Sequence, residues 1–329
     1  DKTVPSADQL REMALEAEAA GLGVEGVAKS MGASAGWGVS GFVLATSNGF
    51  SGSYARSGFS ASAAMLCGEG ENMERDYDFT SAVFMEDMRA MSEIGASAGE
   101  RAVRRSNPRQ VKSGAFPVLF DKRMAGGMLG AMLSAINGSS IARKTSFLRE
   151  MMGKQIASSA ITVHDDPKLK RGLGSRAFDG EGRACEALTL VEKGELQDWI
   201  LDGATARELG LTSNARATRS GSGTAPSSTN AWIEAGDKSV EEMAREIGTG
   251  FYCTETIGHG VNMVTGDFSK GASGYWIENG EIAFPVAEIT IAGNLKDMFL
   301  TLQPCSDLEF RGSTNAPSLL IDGMTIGGK

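Results

Sequence analysis

Only two histidines, His164 in Val-His-Asp-Asp-Pro and His259 in Gly-His-Gly-Val-Asn, offer imidazole chemistry in this chain of 329 residues. A protein zinc site needs three or four converging His, Cys, Asp or Glu donors, often with two of them on one helix face. Neither histidine is followed by glutamate or has a second histidine at helical spacing. His164, Asp165 and Asp166 place three donors in a row, but Asx residues ahead of a proline ordinarily close a turn, and the turn is the reading taken. His259 follows Cys253 by six residues, sits between two glycines without a third donor and reads as a loop residue. Glu278 and Glu281 flank Asn279-Gly280; paired carboxylates can do acid/base work, whereas at a hairpin tip they read as solvated. Cys67, Cys185, Cys253 and Cys305 contain no C-x-x-C pair, so they read as buried thiols rather than disulfide partners or a thiolate metal site. There is no P-loop, dinucleotide fingerprint or nucleophile elbow; a serine nucleophile served by either histidine stays open as an alternative.

The elements that must carry these residues follow from local pattern. Ser6, with Gln9 three residues on, forms a capping box ahead of Leu10, Met13, Ala14 and Ala17, which predicts a helix over 7–20 ended by Gly21 and Gly23. From Trp37 to Cys67 short apolar runs alternate with Asn48-Gly49 and Ser57-Gly58, the pattern of antiparallel hairpins. A helix is expected from Glu86 to Arg105, with Arg101, Arg104 and Arg105 at its negative end and Asn107-Pro108 beyond it. Pro108 to Ser113 reads as a link, dividing the chain into 1–112 and 113–329. The second part opens with a strand, Phe116 to Phe120, then a small, apolar helix from Met124 to Ile136. A helix around Ser146 to Ile156, a strand from Ala160 to Val163, a turn at 179–182 and a hairpin at Lys193-Gly194 follow. Thr212 to Asn230 is nearly all Ser, Thr, Gly, Ala, Asn and Arg, and is expected to be a long surface loop. The fold class is α+β, two domains with mostly antiparallel sheets.

Composition narrows the function classes. With 41% apolar and 22% charged residues the chain can bury two cores, so disorder is not the default. No window approaches the roughly 18 apolar residues of a membrane span, and no basic, apolar leader opens the chain; the expectation is a cytoplasmic protein. The first residue, Asp1, leads into a capped helix without an initiator methionine, so a longer parent chain is expected. A net charge of −9 repels phosphate backbones and argues against direct nucleic-acid binding. Sixteen methionines could form an adaptable peptide surface, but core filling is the plainer reading.

The densest signal is Thr265 to Leu295. Gly271 and Gly274 permit close backbone approach, Tyr275-Trp276-Ile277 favours a strand, Asn279-Gly280 suits a type I′ turn, and Glu281 to Phe284 returns until Pro285 interrupts the ladder. This block resembles the C-terminal signature of the TldD/PmbA family, once labelled modulators of DNA gyrase and read as zinc-dependent peptidase components. Asn72 to Tyr77, Arg143 to Leu148, Gly153 to Ile156 and the block extended to Met298 resemble the family's PmbA/TldE branch in the same order. Catalytic relatives carry H-E-x-x-x-H on a helix, where two imidazoles hold zinc and the glutamate is general base. Aligning the Phe116 to Phe120 strand puts Gly130, Ala131 and Ala135 at those positions, and no residue from Ala125 to Gly138 has a zinc-binding side chain. The resemblance therefore implies a noncatalytic subunit with no cofactor of its own. It would complete a chamber for unfolded peptides around the zinc of a TldD-type partner, with a homodimer in the partner's absence. Extended peptides in such chambers bind by strand addition. Thr265, Asp267, Ser269 and Gly271 are the peptide-binding candidates, although the same residue types stabilise turns and both readings stand. The alternatives are an independent hydrolase with an unrecognised site near His164 or His259, or a homodimeric peptide-binding protein.

Overall fold

The Ser6 hydroxyl accepts from the Gln9 N–H and the Gln9 side chain returns a bond to the Ser6 N–H, so helix α1 (Ala7–Leu22) starts where the capping box places it. It passes through Gly21 instead of ending there, because Gly21 is buried at a helix crossing and Gly23 supplies the cap. The computed structural model describes residues 1–221 and 223–329, with Glu71 described by its backbone alone. It contains two compact units. The first comprises Asp1–Val43, Ser53–Pro108 and Arg171–Leu173, and the second Leu44–Gly52, Arg109–Lys170 and Gly174–Lys329.

The first unit packs α1 and α2 (Met91–Arg104) on a three-stranded meander, β1 (Val27–Ala45), β2 (Ser51–Cys67) and β3 (Glu74–Ala82). Asn48-Gly49 lies in the turn between β1 and β2, whereas Ser57-Gly58 runs inside β2. A buried cluster of Ala61, Ala63, Met65, Ile94 and Ala98 joins sheet and helices. Helix α2 begins later than the sequence suggests, since Met85–Asp87 forms a separate 3-10 turn and Met88 is extended.

The second unit holds most of the chain's core. A ring of five strands closes in the order β13 (Glu281–Asn294), β12 (Asp267–Glu278), β11 (Gly250–Ile257), β4 (Gly114–Phe120) and β16 (Leu319–Gly327), with β16 pairing back to β13. Only β4 and β11 run parallel; β14 (Gln303–Pro304) extends β16. The hairpin at Asn279 (φ 54°) and Gly280 (φ 80°) forms as its residue types require. Pro285 does not end the ladder: it pairs with Tyr275 between two register shifts that absorb its missing N–H. Val118, Phe120, Phe251, Ile291 and Ile321 face one large apolar cluster, while Leu119, Ile277 and Leu320 meet α6 (Val240–Ile247) on the other face. Each such buried side chain contributes about 1.5–3 kcal/mol.

After β4 come α3 (Lys122–Ala135) and α4 (Gly138–Ala142). A second, five-stranded sheet has the order β15 (Thr314–Asn315), β10 (Ala231–Ile233), β5 (Val163–Asp165), β6 (Leu188–Glu192) and β7 (Glu195–Leu196). The helix expected over Ser146 to Ile156 is absent: Gly153 has φ 68°, and the Gly153 and Ile156 N–H groups donate to Leu196 and Gly194 beside β7. The strand expected at Ala160 to Val163 forms three residues later, as β5. Thr212 to Asn230 is not wholly a surface loop. Within it β8 (Ala217–Ser220) pairs with β9 (Gly223–Pro226) after α5 (Gly203–Leu209), and Arg216, Ala217, Thr229 and Asn230 are buried; Ser222 lies outside the described residues. Short α7 (Leu295–Leu300) follows β13.

Candidate functional site

Parallel pairing of β4 with β11 sets the entrance to α3. The Asp121 N–H donates to the Cys253 carbonyl at 2.9 Å, and the Asp121 carboxylate caps the helix through the Arg123 N–H at 2.9 Å. Tyr252 donates its hydroxyl to the same carboxylate at 2.5 Å. Burial first, then the charges of Asp121 and Asp307, push the Tyr252 phenol well above its ordinary value, so it stays a proton donor in this pair. Ser318 donates to Asp307 at 2.9 Å and accepts the Lys122 N–H at 3.1 Å. Lys122 pairs with Glu309 at 2.8 Å; burial would raise the Glu309 carboxyl, but Lys122 and Arg311 outweigh it and hold the value below the usual range. Every carboxylate at this helix entrance is thus engaged by a hydroxyl, an N–H or a cation.

Along α3, Ala125, Met128, Leu129, Met132 and Leu133 pack inward. Gly127 and Ser134 are exposed, and Gly130 and Ala131 partly so; a Cβ added at Gly127 or Gly130 would meet nothing within 4 Å. Of the three positions that the sequence reading aligned with a zinc motif, Gly130 has open space beside it, Ala131 is half-buried against the core and Ala135 is fully buried. Lys122 to Ala135 contains no imidazole, thiolate or carboxylate, and among the described residues no group of three or more His, Cys, Asp and Glu stands close enough to hold a metal ion. These residues do not fit a zinc ion on α3.

Thr265 and Asp267 come together directly, the Thr265 hydroxyl donating to Asp267 at 2.5 Å. Asn294 donates to the other Asp267 oxygen at 3.1 Å and to the Thr265 carbonyl at 3.2 Å, while its side-chain oxygen caps α7 through the Lys296 N–H at 3.1 Å. Asp267, Ser269 and Gly271 then alternate along β12 on one face. The Ser269 N–H donates to Gly260 at 2.7 Å, the Asn262 N–H to the Asp267 carbonyl at 2.8 Å, and β13 pairs with the other edge. Both edges of this stretch are occupied by the chain itself, so a peptide could meet the side chains of Thr265, Asp267 and Ser269 but not add a strand there. Gly274 serves packing instead, since a Cβ there would lie 2.0 Å from the Tyr252 carbonyl and only glycine lets β12 approach β11.

The histidines belong to separate surroundings. His164 Nε2 lies 2.7 Å from Glu234, Nδ1 lies 3.3 Å from the Thr189 hydroxyl, and the ring packs beside Trp232. Asp165 is fully buried against Arg216 and accepts the Thr229 N–H at 2.6 Å and hydroxyl at 2.9 Å. Of the run read as a turn, only Asp166 makes one, accepting the Lys168 N–H at 2.7 Å. His259 follows Gly258 (φ 99°), and its carbonyl accepts the Val261 N–H. Glu278 and Glu281 are exposed opposite one another. All four cysteines are buried free thiols; burial raises Cys253 strongly and pushes Cys305 up to about 12, which leaves both poor nucleophiles. Sequence reasoning missed Tyr252, which no motif marks, and Arg216, whose one signal was an arginine in an otherwise small, polar run.

The family model described as the PmbA/TldA metallopeptidase C-terminal domain matches residues 113–328, and the one described as the central domain matches 2–106. Metalloprotease PmbA of Escherichia coli O157:H7 is 38% identical over 289 residues, covering 87% of this chain and 62% of that protein. The Metalloprotease PmbA homolog of Haemophilus influenzae is 35% identical over 325 residues, covering 98% and 70%. The chain thus spans 62% and 70% of the lengths of these relatives. A crystal structure from Bacteroides thetaiotaomicron, named as a modulator of DNA gyrase, superposes with a TM-score of 0.89 at 32% identity over 99% of this chain and 72% of that one. TldE from Thermococcus kodakarensis shares the fold, with a TM-score of 0.86 at 23% identity over 99% and 75%. The mixed α+β architecture read from sequence is the one these structures share, and with both family domains matched along its length the chain belongs to the PmbA/TldD metallopeptidase family.

Proposed function

We propose that this chain is a noncatalytic subunit of PmbA/TldE type, paired with a zinc-bearing TldD-type subunit and completing a cytoplasmic chamber for unfolded peptides. The observation that carries the reading is α3, which follows β4 where active relatives place H-E-x-x-x-H and which offers no donor side chain. A metallopeptidase needs a metal-activated water and a base beside it, and this helix supplies neither ligand nor base. In this reading residues 113–329 form the working domain, zinc belongs to the partner, and Thr265, Asp267, Ser269 and Gly271 are the contacts for peptide. Thr265, Asp267 and Ser269 would meet peptide through their side chains, since the backbone of that stretch is already paired, and Gly271 would leave room beside them.

The test is reconstitution. Hydrolysis of an unstructured fluorogenic peptide is measured for the chain alone, for a TldD-type subunit with its motif intact, and for their equimolar mixture. The expected result is no turnover by this chain and a rise above the partner's own rate on mixing. Turnover by the chain alone that His164→Ala or His259→Ala abolishes would overturn the proposal in favour of an independent hydrolase.

A further inference from the structure

Three separated pieces of the second unit bring apolar side chains to one part of its surface. The Phe147 N–H donates to the Met263 carbonyl at 3.0 Å, and the Phe147 ring lies 6.2 Å from that of Phe299 in α7. Phe147, Met151 and Met263 are half-buried against the large core. Their chain neighbours Met152 (39%) and Val264 (57%), and Leu300 (49%) beside Phe299, are exposed. Single exposed apolar residues are ordinary, but three carried by segments that touch one another make a patch. The methionines suit it to varied apolar partners, because an unbranched thioether adapts its shape. The strap that carries Phe147 and Met152 is fixed at both ends. The buried Ser146 donates its hydroxyl to the Ala135 carbonyl at 2.6 Å and accepts the Leu148 N–H at 3.0 Å. Beyond the methionines the Gly153 N–H donates to Leu196 at 2.9 Å. An ordered backbone thus presents these side chains, which lowers the entropic cost of binding.

Charge decides what fits there. From 143 to 154 the strap carries Arg143, Lys144, Arg149 and Lys154 against Glu150 alone, in a chain of net charge −9. All four cations are exposed, and of the four, among the described residues, only Arg149 meets a carboxylate, that of its neighbour Glu150 at 3.4 Å. Other basic runs are answered within the chain. Arg101 and Arg105 meet Asp78, Glu74 and Asp76, and Lys168 and Arg171 meet Glu186, Glu86 and Asp87. Unanswered cations beside an apolar patch suit a polypeptide with acidic and apolar side chains. A phosphate backbone would gain the same cations but meet the repulsion of the rest of the chain, and it has no use for the apolar residues. We propose that the strap from Arg143 to Lys154, together with Met263, Val264 and Leu300, is a docking surface for acidic peptide segments that carry apolar residues. Val264 leads directly into Thr265, so a peptide held on this surface lies next to the contacts at Thr265, Asp267 and Ser269. The choice of a peptide as occupant rests on the reading given under the proposed function, whereas the preference for acid comes from this surface alone.

Fluorescence anisotropy of short labelled peptides, titrated with the full chain and no peptidase partner, tests it. The probes share one pattern of leucine and phenylalanine, with the intervening positions all glutamate, all glutamine or all lysine. The glutamate peptide is expected to bind at least about tenfold more tightly than the glutamine peptide, and that advantage to shrink as salt rises. Lys144→Glu with Lys154→Glu should abolish the advantage. Lys2→Glu with Lys29→Glu, the same change of net charge on exposed lysines of the first unit, should leave it intact. Met152→Ser with Val264→Ser should weaken the glutamate and glutamine peptides alike, by at least about threefold. All variants lie at exposed positions, and unchanged circular dichroism spectra are expected. Absence of binding, or equal affinity of the unmodified chain for the glutamate and glutamine peptides, would overturn the proposal without recourse to any variant. So would a first-unit pair that lowers the preference as much as the strap pair. No hydrolysis is read, so this outcome and that of reconstitution with a TldD-type subunit are independent: a rise in turnover on mixing, with no acid preference here, would overturn the docking surface and leave the accessory-subunit reading in place.

Discussion

Helix α2 carries Gly95 and Gly99, and helix α3 carries Gly126, Gly127 and Gly130, although an interior glycine costs a helix roughly 1 kcal/mol against alanine. In α2 the reason lies in the same chain. A Cβ at Gly95 would stand 1.9 Å from the Ala17 carbonyl of α1, and one at Gly99 would stand 2.9 Å from that of Gly21. Glycine there lets two helices cross at backbone distance. In α3 the corresponding space is open at Gly127 and Gly130, so packing within the chain accounts for neither. The same composition therefore has a structural cause in one helix and none at Gly127 and Gly130 of the other, and α3 is the helix that the proposed function takes as the counterpart of the zinc-bearing one. The two also meet their sheets differently. Asp78 of β3 is met by Arg101 of α2 at 3.2 Å and by Arg89 just ahead of that helix at 2.9 Å, while α3 reaches the ring through Met128, Leu129 and Met132.

Substitutions sharpen that contrast. Gly95→Ala should be the most damaging, losing more than about 3 kcal/mol in urea unfolding because backbone rather than a flexible side chain blocks the added methyl. Asp78→Asn should cost about 2 kcal/mol at pH 7 by removing the carboxylate that Arg101 and Arg89 share, with Arg89 keeping only Glu93. Burial alone would raise the Asp78 carboxyl, yet Arg101, Ser97, Arg89 and the Phe79 N–H together hold it below its ordinary value. A carboxyl depressed on folding contributes stability above its unfolded pKa of about 3.9 and loses it as pH falls through the lower folded value. The gap between wild type and Asp78→Asn should therefore be full above about pH 5 and shrink as pH falls through the depressed folded value in acid titrations of stability. Gly99→Ala should lose about 1–2 kcal/mol, since its nearest contacts are looser than those of Gly95. Gly127→Ala and Gly130→Ala should instead stabilise by roughly 0.5–1 kcal/mol each; a loss at either would show that α3's glycines have a packing cause after all.

Features set by neighbours along the chain were legible in the sequence. The capping box of Ser6 and Gln9, the Lys193-Gly194 turn (φ 47° and 82°) and the Asn279-Gly280 hairpin depend on a few adjacent residues and formed as read. Features set by distant segments were not. Closure of the ring depends on β16 meeting both β4 and β13, and nothing in the local pattern of Leu319 to Gly327 states that pairing. Strand β3 was hidden by Glu74, Asp76 and Asp78, whose charges are met by Arg89 ahead of α2, Arg101 within it and Arg105 at its C-terminal cap. Arg216 was hidden by the small, polar residues around it. Its guanidinium is buried because Asp165, the Glu186 carbonyl and the neighbouring Asn214 carbonyl take its donors, the first two from distant segments. At the candidate site the absence of imidazole, thiolate and carboxylate side chains from Lys122 to Ala135 is a matter of residue types alone. That Ala135 lies in the core, Ala131 packs at its margin and Gly130 has open space beside it required the helix to be placed.

Helix α3 lacks the donors to hold a catalytic metal, and equilibrium zinc binding by the isolated chain tests this most directly. Titration with zinc at neutral pH, read as metal retained per chain after exhaustive dialysis, should give far less than one equivalent, with no change on Ser134→Ala. Retention of one zinc per chain, with loss on substituting any residue of α3 or its Asp121 cap, would contradict the account.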